Sequence, residues 1–159
     1  MGLSGLTSTV RRSQRSGLEV GFVAGDALRL PFANHAFDAL AVSYGLRNLS
    51  DFSAALGEFR RVLRPGGRLA ILDFGKPANR VWRKLYFAYL QLAVPMLGRC
   101  CCGDAAAYAY ILESLRHYPD AAGISGLLRQ NGWTSVEVDT LLGGVMSLHL
   151  ARKTGRTAM

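Results

Sequence analysis

The sequence has no apolar run long enough to cross a membrane. The longest, from Leu85 to Gly98, contains Gln91 and Pro95, whereas a transmembrane helix needs about 20 predominantly apolar residues. The first twenty residues also lack the continuous apolar core of a secretory signal peptide. We therefore expect a cytoplasmic protein that is either soluble or peripheral to a membrane.

Cysteine is scarce and occurs in one place only. The three cysteines are consecutive, at Cys100, Cys101 and Cys102. Neighbouring cysteines have neither the spacing of a metal site nor good disulfide geometry, and no second cluster completes a site. Three adjacent free thiols are typical of a reducing compartment. The sequence therefore predicts no metal centre and a cytoplasmic location.

Acidic residues are few. The chain has 11 of them against 19 lysines and arginines, a net charge of +8. Such a balance is compatible with nucleic acid, an anionic membrane surface or acidic ligands. No interleaved aromatic residues or nucleic-acid motif accompany the basic residues, so we do not expect nucleic-acid binding. The basic residues concentrate at Arg11, Arg12 and Arg15, from Arg80 to Lys84, and at Arg152, Lys153 and Arg156.

Three nearly continuous apolar segments predict strands buried on both faces, as in a parallel sheet. They are Leu18 to Ala24, Ala39 to Tyr44 and Leu69 to Phe74. Between the last two, apolar residues recur at helical spacing from Phe52 to Leu63, and Asp51 precedes them as a helix cap. Alternating strands and helices of this kind indicate an α/β fold.

Further elements complete a single domain in the 159 residues. Residues 1–17 are rich in Ser, Gly and Arg, and we interpret them as a frayed segment. The turn Arg64-Pro65-Gly66-Gly67 ends the first helix, because proline cannot continue it and glycine accepts positive φ. We predict three more helices and a closing antiparallel hairpin, at Arg80–Leu97 (bent at Pro95), Ala105–Arg116 and Ala121–Asn131, then Val136–Leu141 and Val145–Ala151.

The chain is similar to the ubiquinone/menaquinone biosynthesis C-methyltransferase family. The resemblance covers about Gly17 to Lys153. The motifs most specific to the family are Gly-Leu-Arg-Asn, Arg-Lys-Leu-Tyr and Tyr-X-Tyr. It implies a Rossmann-like class I methyltransferase sheet, S-adenosylmethionine as cofactor and an isoprenoid quinol as substrate. The segments that carry it are Gly25-Asp26-Ala27, Leu30-Pro31-Phe32, Phe37-Asp38, Ser43 to Asn48, Arg61 to Arg68, Phe74 to Pro77, Arg83 to Tyr86, Pro95 to Gly98, Tyr108 to Tyr110, Glu113 to Leu115, and Gly143 to Val145 with His149.

The resemblance implies where the cofactor binds. In open parallel sheets, ligands lie beyond the carboxyl ends of the strands. By the family's pattern, Asp26 and Ala27 meet the adenine at the end of the first predicted strand, and Ser43 is a second cofactor contact. The residues alone also allow simpler interpretations, in which Asp26 caps a turn and Ser43 is a small residue at the edge of the core.

The resemblance also implies catalytic residues. Arg47 and Asn48 would face the substrate, whose ring carbon needs an electron-rich phenolate. A guanidinium cannot act as a base at ordinary pH, but it can stabilise an oxyanion or hold a water that relays the proton. We assign this role to Arg47, with Asn48 orienting it. The alternative is a surface arginine that caps the loop.

Other aromatic and histidine residues leave the interpretation open. Apolar and aromatic residues of the later helices either line a slot for a polyprenyl tail or form core. His149 lies in a predicted strand and is expected to be packed and hydrogen-bonded rather than a base. The residues that would line this slot for the polyprenyl tail are Tyr86, Phe87, Tyr89, Leu90, Val94, Met96, Tyr108 and Tyr110.

The sequence lacks the cofactor loop that the family carries. Gly-X-Gly-X-X-Gly occurs nowhere in it, and neither does the strand that ends in a ribose-binding acid. The family's strand order is 3-2-1-4-5-7-6, so strands 1 and 2 would be missing. The segment from Leu18 to Val23 would then lose its neighbour, and Ala39 to Tyr44 would be an open edge.

We therefore interpret the chain as a partial methyltransferase domain that binds the cofactor poorly alone. Its complete form would methylate a demethylated quinol, either demethylmenaquinol or a ubiquinone precursor, at the cytoplasmic face of the membrane. The missing strands would come from a homodimer partner or a complementing chain. The rival hypothesis is a non-catalytic interaction subunit of a quinone-biosynthesis complex, which recruits a partner through its open edge.

Overall fold

The computed structural model describes residues 20–101, 113–115 and 117–155. It contains a four-stranded sheet in the order β1-β2-β4-β3. β1 and β2 are parallel, whereas β4 runs antiparallel to both β2 and β3. The strands are β1 (Phe37–Ser43), β2 (Leu63–Phe74), β3 (Trp133–Leu141) and β4 (Met146–Lys153), and the helices are α1 (Phe52–Val62), α2 (Arg80–Cys101) and α3 (Ala121–Gln130).

Capping and glycine fix the unit β1-α1-β2. Asp51 caps α1 as predicted, because its Oδ1 accepts a hydrogen bond from the backbone N–H of Ala54 at 2.9 Å. α1 ends at Val62, close to the predicted end, but the residues predicted as a turn, Arg64 to Gly67, belong to the first part of β2, where its pairing with β1 shifts register. Gly66 has φ 79°, and a Cβ on Gly67 would lie 2.8 Å from the carbonyl oxygen of Arg64. Both positions therefore require glycine.

The core lies on one face of the sheet, under α1 and α3. Leu69 and Ile71 of β2 are almost fully buried against Leu56 of α1 and Leu128 of α3. Burying an aliphatic side chain of this size contributes about 1.5–3 kcal/mol. A smaller cluster joins Tyr86 and Leu90 of α2 to residues outside this core. The core thus fixes the sheet against two helices.

Most of the predicted elements match the structure, and one does not. The helices at 52–63, 80–97 and 121–131, the strand at 39–44 and the closing hairpin are confirmed within a few residues, and the strand at 69–74 is confirmed with an earlier start at Leu63. The predicted strand from Leu18 to Ala24 is wrong over residues 20–24, which form no strand and whose large apolar side chains are exposed. A strand needs a hydrogen-bonded neighbour, and no described residue pairs with this segment.

Some predictions fall outside the described residues. The predicted helix at 105–116 is described only at 113–115, which are helical, and Tyr108 and Tyr110 are not described. Residues 1–17 and Cys102 also lie outside, as do the side chains of Val94, Met96, Cys100 and Cys101. Over the described ranges, every helix falls short of the length and apolar character needed to cross a bilayer.

Candidate functional site

A buried ion pair lies where the parallel strands β1 and β2 end. Arg47 donates from Nη1 to Oδ1 of Asp73 at 2.5 Å, and its backbone N–H donates to Oδ2 at 3.3 Å. The backbone N–H of Phe74 also donates to Oδ1, at 2.8 Å. The side chains of Arg47 and Asp73 are only 8% and 1% exposed. Because several donors converge on Asp73, the guanidinium is held in one orientation.

The turn that carries Arg47 is fixed by backbone geometry. Tyr44 follows β1 with φ 54°, and its N–H donates to the carbonyl oxygen of Leu72 at 2.8 Å. A bulky residue rarely adopts this left-handed conformation, and such residues concentrate at functional sites. A 3-10 turn from Leu46 to Asn48 follows, anchored by Leu46, which is fully buried. The turn therefore presents Arg47 at the carboxyl edge of the sheet.

Aromatic rings surround the guanidinium. The Arg47 Cζ lies 5.0 Å from the centroid of the Phe74 ring and 6.0 Å from that of the Tyr44 ring. These two rings are themselves 5.1 Å apart. At such distances the face of an aromatic ring attracts a cation that lies above it. Together the rings and the guanidinium form a surface suited to a flat ligand that carries a partial negative charge.

The pKa values of two nearby tyrosines are raised. Burial raises the pKa of Tyr86 above its usual value, and the nearby Arg47 only partly offsets this. Burial and then the Asp73 carboxylate raise the pKa of Tyr118. Both hydroxyls therefore stay protonated at neutral pH. The cluster can stabilise an oxyanion, but neither phenol can remove a proton there.

The structure brings together only part of the predicted site. Arg47 and Asn48 share one turn directly after Ser43, which is exposed at the end of β1. Asn48 donates from Nδ2 to the carbonyl oxygen of Tyr44 at 3.3 Å, so it supports the turn. Asp73 holds the Arg47 guanidinium through the contacts above, and the role of Asn48 in orienting Arg47 stays a prediction.

The two predicted adenine contacts lie on a loop and not at the end of a strand. Asp26 accepts a hydrogen bond from the Leu28 N–H at 2.9 Å and forms an isolated bridge with Arg29. It therefore caps its own turn, the simpler interpretation, and it remains exposed. Ala27 packs partly buried against the main core. Asp26 and Ser43 both expose polar side chains, and their contact with adenine stays a prediction.

Sequence reasoning missed Asp73. It is the only acidic residue in the apolar segment Leu69–Phe74. Aspartate is almost never fully buried unless it is paired. That position alone predicts a buried cationic partner, although the spacing does not reveal that the partner is Arg47. Among the described residues, no three His, Cys, Asp or Glu side chains are grouped so that they could hold a metal ion.

His149 is packed and hydrogen-bonded, as its strand position predicted. It is 1% exposed, and its Nε2 donates to the carbonyl oxygen of Ala121 at 3.0 Å. Burial lowers its pKa below the usual value of 6.5, and the hydrogen bond opposes this shift more weakly. The folded protein therefore holds His149 neutral, and the residue joins β4 to the start of α3.

This burial predicts a pH-dependent stability. The unfolded chain takes up a proton at His149 below its ordinary pKa, whereas the folded chain does so only at lower pH. The free energy of unfolding should thus fall by up to about 1.4 kcal/mol per pH unit as the pH drops below about 6.5. Urea unfolding between pH 7.5 and 5.5 measures this. The decrease in the free energy of unfolding at low pH should be smaller in His149→Gln. It should persist in the matched variant His117→Gln, because the His117 side chain is 80% exposed. An equal decrease in the wild type and both variants would contradict this prediction.

In the part of the chain that the structure describes, the other face of the sheet is uncovered. A groove of about 760 Å³ runs across it, lined partly by the small residues Ala39, Ala41 and Ala70. Leu150, 40% exposed, and Arg152 lie beside them on β4. Within the described ranges β1 is an edge strand, as the sequence predicted for residues 39–44. The uncovered face and this edge meet along β1.

Comparisons with known proteins agree with this architecture. The ubiE/COQ5 methyltransferase family matches residues 5–153. The chain is 46% identical over 138 residues to a demethylmenaquinone methyltransferase of Mycobacterium sp. (strain KMS), covering 87% of this chain and 60% of the relative. It is 44% identical over 147 residues to one of Beutenbergia cavernae, covering 92% of this chain and 61% of the relative.

A solved structure shows the same fold at low identity. A SAM-dependent methyltransferase of Thermotoga maritima, titled a possible histamine N-methyltransferase, superimposes with a TM-score of 0.62 at 15% identity, over 91% of this chain and 68% of that one. The predicted fold class, a Rossmann-like methyltransferase sheet with a C-terminal antiparallel hairpin, is confirmed. The chain spans about 60% of the length of the two curated relatives.

Proposed function

We propose, since the chain belongs to the ubiE/COQ5 methyltransferase family, that it forms the quinol-binding part of an S-adenosylmethionine-dependent C-methyltransferase. The observation that carries this is the buried Arg47–Asp73 pair at the carboxyl edge of β1 and β2. Ligands of open parallel sheets lie at this edge. The substrate is a demethylated quinol, for which the relatives named demethylmenaquinone methyltransferases favour demethylmenaquinol over a ubiquinone precursor.

The cofactor supplies an electrophilic methyl group when bound. Asp26 and Ser43 would hold its adenine edge, with Ala27 beside them. No described residue provides the glycine-rich loop or the ribose-binding acid. These parts would come from a preceding segment, a complementing chain or a second copy, and the uncovered face and the β1 edge offer them a place.

Arg47 stabilises the phenolate of the quinol in this proposal. The ring carbon becomes nucleophilic as negative charge develops on the neighbouring oxygen, and a fixed cation in a dry site lowers the energy of that charge. Asp73 keeps the guanidinium in place, while Phe74 and Tyr44 provide faces for the ring. Reaction then depends chiefly on alignment of the two reactants.

The first helix after β2 offers a membrane-facing surface. α2 exposes a stripe of large apolar side chains, of which Leu85, Tyr89 and Leu92 are 58%, 53% and 74% exposed. Arg80 and Lys84 lie on the same helix. Apolar and cationic side chains together favour contact with an anionic lipid surface. This supports a location at the cytoplasmic membrane face, where a polyprenyl substrate resides.

Arg47→Lys tests the catalytic assignment in a complete enzyme, made by fusing the preceding segment of a family member to this chain. Lysine keeps the charge but not the planar guanidinium, so turnover should fall about 100-fold, as when one oxyanion donor is lost. Affinity for S-adenosylhomocysteine should stay within about twofold, since Arg47 lies on the substrate side.

Arg64→Lys is the matched control, because Arg64 forms an exposed ion pair with Asp38. It should leave turnover unchanged. The measurements are initial rates with demethylmenaquinol and calorimetric titration with S-adenosylhomocysteine. Equal losses of turnover and cofactor affinity in Arg47→Lys would contradict the assignment.

A second function remains favoured by one observation. The groove of about 760 Å³ and the open β1 edge suit a non-catalytic subunit that recruits a partner protein through strand pairing. A fusion that binds S-adenosylhomocysteine but methylates no quinol would favour this rival over the enzyme.

A further inference from the structure

Two buried polar atoms near Arg47 have no hydrogen-bond partner among the described residues. They are the Nε of Arg47 and the hydroxyl of Tyr86. Tyr86 is 7% exposed, and the Arg47 side chain is 8% exposed. Buried polar groups are nearly always paired, and leaving one unpaired is costly. An unpaired donor in a buried place therefore needs an explanation.

The two groups share a neighbour. Tyr86 packs in the cluster that includes Phe74, and the Arg47 guanidinium lies 5.0 Å from the Phe74 ring. Asp73 accepts hydrogen bonds from two donors of Arg47, Nη1 and the backbone N–H. Nε is thus left for another acceptor. Both Nε–H and the Tyr86 O–H are donors next to one aromatic ring.

Other unpaired atoms lie elsewhere. Among the described residues, the Nε of Arg60, the Oγ of Ser125 and the Nε1 of Trp133 are also buried without a partner. Trp133 begins β3 and Ser125 lies in α3. Arg60 lies in α1, where its guanidinium packs against Gly132. Arg47 and Tyr86 are distinguished by contact with Phe74, at the carboxyl end of β2.

We propose that Tyr86 is a second substrate-binding donor, which with the Nε–H of Arg47 binds the ring oxygen of the quinol as it becomes a phenolate. The inference rests on the proposed function and names a residue that the proposal does not include. Two donors on one oxygen form an oxyanion-binding site, and the Phe74 face receives the ring. Tyr86 stays protonated, because burial raises its pKa.

The test is binding of two ligands at pH 8 to the full 159-residue chain. One is 4-nitro-1-naphthol, which is an anion at this pH, and the other is its methyl ether, which cannot ionise. Tyr86→Phe should weaken binding of the naphtholate about tenfold and change binding of the ether less than twofold. The melting temperature should not fall, since the variant removes an unpaired hydroxyl.

Ser125→Ala is the matched control, since it also removes a buried hydroxyl without a partner among the described residues, but one that lies in α3. It should bind both ligands as the wild type does. If Tyr86→Phe binds the naphtholate as tightly as Ser125→Ala, or loses both ligands equally, Tyr86 is not a donor to the substrate. If the wild type binds neither ligand, the proposed function fails and this inference with it.

Discussion

Replacing Asp73 by asparagine is expected to lower the free energy of unfolding by about 3–5 kcal/mol, because it leaves the buried Arg47 guanidinium without a counter-charge. Arg47→Met should lower the free energy of unfolding by a similar amount, because it leaves the Asp73 carboxylate, which is 1% exposed, without a counter-charge. The double variant removes both charges. The decrease in the free energy of unfolding of the double variant should be smaller than the sum of the decreases in the two single variants, by at least about 1 kcal/mol. Urea unfolding of the four proteins measures this.

The exposed ion pair of Arg64 and Asp38 is the matched control. Its N–O distance is 2.7 Å, but its side chains are 54% and 81% exposed. The same three substitutions there should show a coupling below about 1 kcal/mol, because water screens an exposed pair. Additive losses at Arg47 and Asp73 would contradict the view that these residues stabilise each other, and with it the fixed orientation of the guanidinium.

The sequence predicted most of the fold because local signals were strong. Asp51 before a helical pattern and glycine at 66 each determine the backbone at one position, and the structure shows both. The strand predicted at Leu18–Ala24 is wrong over residues 20–24, because apolar composition alone does not make a strand. Val20, Phe22 and Val23 remain exposed, since the described part of the chain contains no neighbour for them.

The candidate site was predictable only in part. The sequence placed Arg47 directly after a predicted strand, and in the structure Arg47 lies on the turn that follows β1. Its partner Asp73 is 26 residues away and meets it only because β1 and β2 are parallel and end at the same edge. The unpaired hydroxyl of Tyr86 depends on how α2 packs against Phe74, which no pattern in the sequence specifies.

Joining the preceding segment of a family member to this chain is expected to raise the affinity for S-adenosylhomocysteine about 1,000-fold, equivalent to about 4 kcal/mol. The reason is that the chain offers Asp26, Ala27 and Ser43 but no glycine-rich loop and no ribose-binding acid. The added strands would also cover the β1 edge and the sheet face beside Ala41. A fusion to an unrelated soluble domain of equal size is the control.

Calorimetric titration with S-adenosylhomocysteine tests the central proposal most directly, namely that this chain carries the quinol-binding residues and the adenine contacts of a methyltransferase but needs a further segment for the glycine-rich loop and the ribose-binding acid. The account predicts binding in the micromolar range for the family fusion, and no measurable binding to the chain alone or to the control fusion up to about 1 mM. Equally tight binding to all three proteins, or none to the family fusion, would contradict it.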